Sequence, residues 1–123
     1  MGIAQASVVA DEAALRERVE FVHDYVGSDA IAEQYIRGRE LNVGVLGNER
    51  LQVFGVRELR FEQLPEGSEP IATWRVKWDL AYQEKLGIRV GPADLSPRET
   101  SRIQRLARRI YRALGLTGYA RID

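Results

Sequence analysis

The stretch EQYIRGRELNVGVLGNERL, residues 33–51, constrains the fold more than any other part of the chain. A loop, Arg37–Gly38–Arg39, gives way to Glu40, and Leu41, Val43 and Val45 then alternate with other residues. Period-two spacing puts those three side chains on one face of a strand, whereas a helix would scatter them. Gly47–Asn48 marks a turn, and Leu51–Val56 returns as a second strand. Arg57–Phe61 continues it past a bend at Gly55. One carboxylate, Glu40, therefore stands beside a backbone bend at the mouth of a sheet.

The flanking segments supply the support for that hairpin. Val8 and Val9 favour a strand within Ile3–Ala10. Asp11 is placed to cap a helix over roughly residues 12–26, with Glu12 in its first turn and Gly27 at its end. Leu15, Val19, Val22 and Val26 recur at helical spacing as a buried stripe. Ala30–Ile36 reads as a strand, Glu62–Pro70 as a surface loop and Ile71–Val76 as an edge or short strand. Asp79–Leu86 reads as a short helix closed by Gly87, and Gly91–Pro97 as a linker. The best-signalled helix follows. Ser96, Pro97 and Glu99 form a capping box with proline at the first helical position, and Gly115 ends the helix. Ile103, Leu106, Ala107, Ile110 and Leu114 line one face of it. Gly118–Asp123 is a last strand, with Tyr119, Arg121 and Asp123 on one side. The pattern predicts an α+β domain, a mixed or antiparallel sheet with helices packed on one face.

Composition removes several function classes. At 123 residues, 45% apolar and 29% charged, the chain suits one globular domain. Its formal net charge is zero, so no global field draws in nucleic acid or an anionic membrane. It has no cysteine and a single histidine, His23, which excludes disulfides, thiolate metal sites and His-rich metal sites. No apolar run reaches the roughly 20 residues of a membrane span, and the amino terminus is unlike a signal peptide, so a cytoplasmic protein is expected. Arg98, Arg102, Arg105, Arg108, Arg109 and Arg112 crowd the last helix. A non-enzymatic binding module built on helix 97–114 is the alternative they raise. The neutral total and the absence of interleaved aromatics favour a solvated face and no nucleic-acid partner.

In EQYIRGRELNVGVLGN, TWRVKWD and YRALGLTGYARID, in that order, the chain resembles the ATP-grasp superfamily, close to the D-alanine–D-alanine ligase type. MGIAQASVV resembles the tail of that family's glycine-rich phosphate loop, so the likeness covers nearly the whole chain. It implies that Glu33, with backbone groups of Gln34 and Ile36, grips adenine, and that Glu40 accepts from the ribose hydroxyls. A carboxylate suits that role because it only accepts and can take two donors at once. The likeness further implies that Lys77 leans on the phosphates, that Arg121 stabilises charge during phosphoryl transfer, and that Asp123 is a Mg²⁺ ligand.

The departures from the family shape the expectation as much as the matches. The family's pattern runs on past the Asp into a hairpin bearing a Glu and an Asn that complete the metal site. The resemblance therefore implies a partial ATP-grasp domain, residues 1–123, without the amino-terminal substrate domain, most of the glycine-rich loop or that metal-ligand hairpin. Its parent would be an ATP-dependent carboxylate–amine ligase with small-molecule acid and amine substrates and an acyl-phosphate intermediate. This piece alone would be inactive. Strand edges exposed by such a cut would pair with another copy, making a homodimer. Plainer readings accompany each residue: Glu40 as a solvated strand residue, Lys77 as a snorkelling lysine, Arg121–Asp123 as an ion pair, and Trp74 and Trp78 as packing residues.

Overall fold

The computed structural model describes residues 3–123. The chain separates into two compact units rather than one: residues 3–37 with 61–88, and residues 38–60 with 89–123.

The second unit is built on the alternating run. β1 (Glu40–Leu46) is antiparallel to β2 (Gln52–Val53) and β3 (Arg57–Phe61) along one side, and to β5 (Tyr119–Ile122) along the other. β4 (Ile88–Pro92) follows β3 in the sheet order, at the edge. The hairpin predicted after Glu40 is present, but its return is broken. Gly55 separates a two-residue β2 from β3. Gly47 makes the turn at φ 122°, where a Cβ would lie 2.2 Å from the Arg50 carbonyl oxygen. Only glycine is tolerated there.

β4 extends two residues, Gly91 and Pro92, into the linker expected over Gly91–Pro97, because those two read as breakers. Proline is accepted at the end of an edge strand, whose outward N–H groups need no partner strand. The open carbonyls are met by side chains instead: Arg57 donates to Val90 O at 3.1 Å and Arg60 to Pro92 O at 2.7 Å.

α4 (Pro97–Ala113) covers one face of this sheet. Its start is as the sequence indicates, with Ser96 Oγ accepting from Glu99 N and Glu99 accepting from Ser96 N. The inward face differs in part. Ile103, Ala107 and Ile110 turn inward, whereas Leu106 and Leu114 are 51% and 67% exposed. Tyr111 takes the central place, packing with Val43, Val45, Val56 and Ala107. Each such large side chain contributes about 1.5–3 kcal/mol over its exposed state. The Tyr111 hydroxyl lies 2.8 Å from Gly47 O and 3.0 Å from Gly118 O, so its proton joins the hairpin turn to the start of β5. Asn48 Oδ1 accepts from Gly118 N beside it.

The first unit has a thinner core. Asp11 caps α1 (Glu12–Phe21), its Oδ1 accepting from Ala14 N at 2.8 Å. The helix widens into a π turn at Val22–Val26 and ends at Gly27, φ 70°. The predicted stripe is only half covered: Leu15, Val19 and Val22 are half-buried and Val26 is exposed. The strand expected in Ile3–Ala10 is a 3₁₀ turn, Gln5–Ser7, closed by Ser7 Oγ accepting from Ala4 N. The strand expected over Ala30–Ile36 is irregular, with Ile31 and Ile36 far out in solvent. No strand among the described residues runs beside either segment, and an unpaired strand cannot hold its conformation alone.

The edge or short strand expected over Ile71–Val76 is replaced by α2 (Trp74–Trp78), capped by Thr73 Oγ1 accepting from Val76 N. The local cap outcompetes the β propensity of the segment. α3 (Leu80–Lys85) follows, capped by Asp79 and closed by Gly87, as expected. Trp74 and Trp78 are 52% and 71% exposed, so neither is a core packing residue of this chain, one of the two packing roles, core or interface, expected for them.

Candidate functional site

In the second unit, strand alternation does the placing. Leu41, Val43 and Val45 face α4, so Glu40, Asn42 and Gly44 project from the opposite side of β1. The register Gly44↔Arg121 and Leu46↔Tyr119 adds Tyr119, Arg121 and Asp123 to that same side. Glu40 and Arg121 are near enough for the carboxylate to stabilise the guanidinium's charge. The larger influence on Arg121 is Asp123, which raises its pKa by hydrogen bonding and then by charge. Arg121 Nε and Nη2 lie 2.7 and 2.9 Å from the two Asp123 carboxylate oxygens, with both side chains more than half exposed. The ion pair of the plainer reading is thus formed. It uses two of the five guanidinium donors and leaves three for a ligand.

Beside this face is a cavity of about 470 Å³, walled by Asn42, Phe54, Arg57, Tyr119 and Arg121 over a floor at Gly44. A Cβ on Gly44 would stand 3.1 Å from the Phe54 ring and 3.3 Å from the Tyr119 ring. Glycine lets both aromatics lie across the strand and narrow the cavity.

The start of β1 is fixed from its other face. Arg39 Nε and Nη2 grip the two oxygens of Glu58 at 2.6 and 2.7 Å, and Nη2 also donates to Asp94 O at 3.0 Å. Arg60 Nε adds a bond at 3.0 Å to the same carboxylate. Glu58 is buried, and its pKa is lowered to about 2, first by the Arg39 hydrogen bonds and then, against desolvation, by Arg60. Sequence reasoning missed this clasp, although the basic–acidic alternation in Arg57–Glu58–Leu59–Arg60 was its signal.

Glu33, Gln34, Ile36 and Lys77 belong to the first unit. Glu33 borders a cavity of about 730 Å³ whose walls include Leu15, Val19, Val22, Ile31 and Trp74. Mostly apolar walls with a few polar groups suit a flat heterocycle, and the volume lies within the range of small-molecule sites. Gln34 and Ile36 are exposed on the irregular segment, and Lys77 sits exposed on α2 outside that lining. The segment is tethered by Glu69, whose carboxylate accepts from the Tyr35 hydroxyl at 3.2 Å and from Arg37. Gln5 pins the Glu69 backbone through both its N–H and its carbonyl. This hub too was invisible in the sequence, since its partners lie 32 to 64 residues away from Glu69.

The metal expectation rests on Asp123 alone, as one ligand of a site completed by residues outside this chain. Among the described residues no three His, Cys, Asp or Glu side chains cluster as a metal site. Asp123 also has both oxygens engaged by Arg121.

Comparison with known proteins matches this arrangement to a family. The family described as D-ala D-ala ligase C-terminus matches residues 2–123. The D-alanine–D-alanine ligase of Desulforudis audaxviator is 30% identical over 116 residues, covering 94% of this chain and 35% of the relative. That of Methylorubrum populi is 36% identical over 97 residues, 79% of this chain and 28% of the relative. The uncharacterized protein y4sG of Sinorhizobium fredii is 29% identical over 116 residues, 94% of this chain and 33% of the relative. The chain spans about a third of the length of these relatives. With the α+β architecture and the antiparallel sheet, the match over residues 2–123 settles the relationship: this chain belongs to the D-ala D-ala ligase C-terminus family, within the ATP-grasp superfamily.

Proposed function

We propose that the chain is the nucleotide-gripping part of an ATP-dependent carboxylate–amine ligase of the cytoplasm. The observation that carries this reading is the shared face of β1 and β5, on which Glu40 and Arg121 stand together beside an aromatic-walled cavity. Glu40 accepts hydrogen bonds from the ribose hydroxyls, and the three Arg121 donors not used by Asp123 face the phosphoryl oxygens. In the other unit, taken by itself, Glu33 borders an apolar cavity that suits an adenine ring, with backbone groups of Gln34 and Ile36 for its edge and Lys77 as a cation of the same unit.

In the longer ligase, a substrate carboxylate takes the γ-phosphoryl group and ADP departs. The amine of a second substrate then displaces inorganic phosphate from the acyl phosphate, forming the C–N bond. Arg121 serves the first step by holding the charge that develops on the transferred group. In the longer ligase Asp123 would be one of several oxygen ligands of a Mg²⁺ ion that would neutralise phosphate charge, and no step is routed through that ion here. The chain by itself binds nucleotide without turning it over.

Calorimetric titration of ATP against this chain and its Glu40→Ala variant tests the reading. Binding by the chain and an affinity about tenfold lower in the variant are expected, the loss of roughly one charged hydrogen bond. Absence of binding to the unaltered chain would overturn it.

A further inference from the structure

The zero net charge conceals a division. Residues 38–60 and 89–123 carry twelve arginines against six carboxylates, a net +6. Residues 3–37 and 61–88 carry six basic against twelve acidic side chains, a net −6.

The positive charge is concentrated on α4. Arg98, Arg102, Arg105, Arg109 and Arg112 recur at i, i+4, i+7, i+11 and i+14. At 100° per residue they fall within an arc of about 80°, opposite buried Ala107, in a line roughly 21 Å long. All are exposed, and none of their guanidinium groups makes an ion pair or hydrogen bond among the described residues. The one acid on α4, Glu99, is used up in its own cap. Like charges at i,i+4 repel, so α4 loses stability along this face with nothing in its own helix to offset it. Arginine richness alone does not explain the pattern, because α1 of the same chain pairs its Arg16 with Glu12.

The complementary pattern is in the other unit. Glu17, Glu20 and Asp24 run along the solvent side of α1 and its π turn, opposite half-buried Leu15, Val19 and Val22. They are exposed and likewise without an ion pair among the described residues. Their spacing, i, i+3, i+7, is that of Arg102, Arg105 and Arg109.

We propose that the arginine face of α4 docks the acidic face of α1 on a second copy of this chain. The spacing lets three guanidinium–carboxylate pairs form in register, and guanidinium favours that two-pronged geometry. Because unlike surfaces meet, the contact is head-to-tail unless two such contacts close a dimer. The arginine face of α4 carries no aromatic, Tyr111 being buried on the other side, and this disfavours a single-stranded nucleic acid as the occupant, since no base could stack there. This inference is independent of the nucleotide reading.

Sedimentation velocity over a range of concentrations, at about 10 mM and about 1 M salt, tests it, since the Debye length falls roughly from 30 to 3 Å. The mass is expected to rise above 13.9 kDa at low salt and return to it at high salt. The neutral variant R102Q/R105Q/R109Q weakens association about tenfold. The reversals R102E/R105E/R109E and E17R/E20R/D24R are each monomeric, with unchanged circular dichroism, and associate when mixed. A monomer at low salt overturns the proposal. So does association that survives reversal of α4, which would place the interface at the strand edges, or failure of the reversed pair to associate on mixing. A low-salt monomer that shifts on a DNA duplex would assign the arginine face to nucleic acid instead.

Discussion

Arg39 and Glu58 are clasped by two parallel hydrogen bonds of 2.6 and 2.7 Å, with the carboxylate buried on the α4 side of the sheet. Glu58 pairs across the ladder with Leu41, so Arg39, two residues earlier, reaches it on the same face. Glu40 between them is thereby turned to the other face, toward Arg121. The clasp is a structural reason why the residue after Arg39 lies off the core face of the sheet. Replacing Glu58 by Gln removes a buried charge partner from two guanidiniums. It should cost about 2 kcal/mol of stability by chemical denaturation. A change under a few tenths would show that the clasp does not hold β1.

The same carboxylate gives the fold an acid limit. Its pKa is lowered from 4.5 to about 2 in the folded chain, so the unfolded chain binds the proton more readily. The stabilisation is present above the unfolded value and is lost as pH falls through roughly 4.5 to 2. Asp79, lowered first by its backbone hydrogen bond at the start of α3 and then by Arg75, acts in the same direction. Thermal midpoints measured from pH 6 to pH 2 should fall in the wild type and fall less in Glu58→Gln. Parallel curves would assign the acid limit to other groups.

Tyr111→Phe keeps the ring in the core and removes one proton. That proton is shared by Gly47 O and Gly118 O, and the second of these also accepts from Gly47 N. Gly47 O is left the poorer, so a loss of about 1 kcal/mol is expected. Amide exchange should quicken at Gly118 and the start of β5, with the middle of α4 little changed.

Much of the architecture was legible because its signals are local. The cap of α4 lies within Ser96, Pro97 and Glu99, the cap of α1 in Asp11, and the alternation of β1 within seven residues. What escaped depends on distant partners. The end of β4, Gly91–Pro92, looks like a linker until β3 is beside it, and Ala30–Ile36 looks like a strand until one asks what it would pair with. Ile71–Val76 has strand composition, yet a single threonine cap decides for a helix. The candidate site divides along the same line. The residue types of Glu40, Arg121 and Asp123 could be read from the sequence, and β alternation puts them on one side. The Arg39–Glu58 clasp and the Glu69 hub join segments 19 to 64 residues apart, which no local pattern announces.

The turnover prediction is independent of binding. With no carboxylate cluster among the described residues and Asp123 held by Arg121, the chain should release no phosphate from ATP above background, with or without added Mg²⁺. A phosphate-release assay showing Mg²⁺-dependent turnover abolished by Asp123→Asn would contradict the reading that Asp123 needs further ligands from the longer ligases to hold the metal.

The central claim is that Glu40 recognises a ribose, and it is tested most directly by comparing ATP with its 2′,3′-dideoxy analogue by calorimetry. The wild-type chain should bind ATP about tenfold more tightly than the analogue, and Glu40→Ala should bind the two alike. Equal affinities in the wild type, or a preference that persists in the variant, would contradict it.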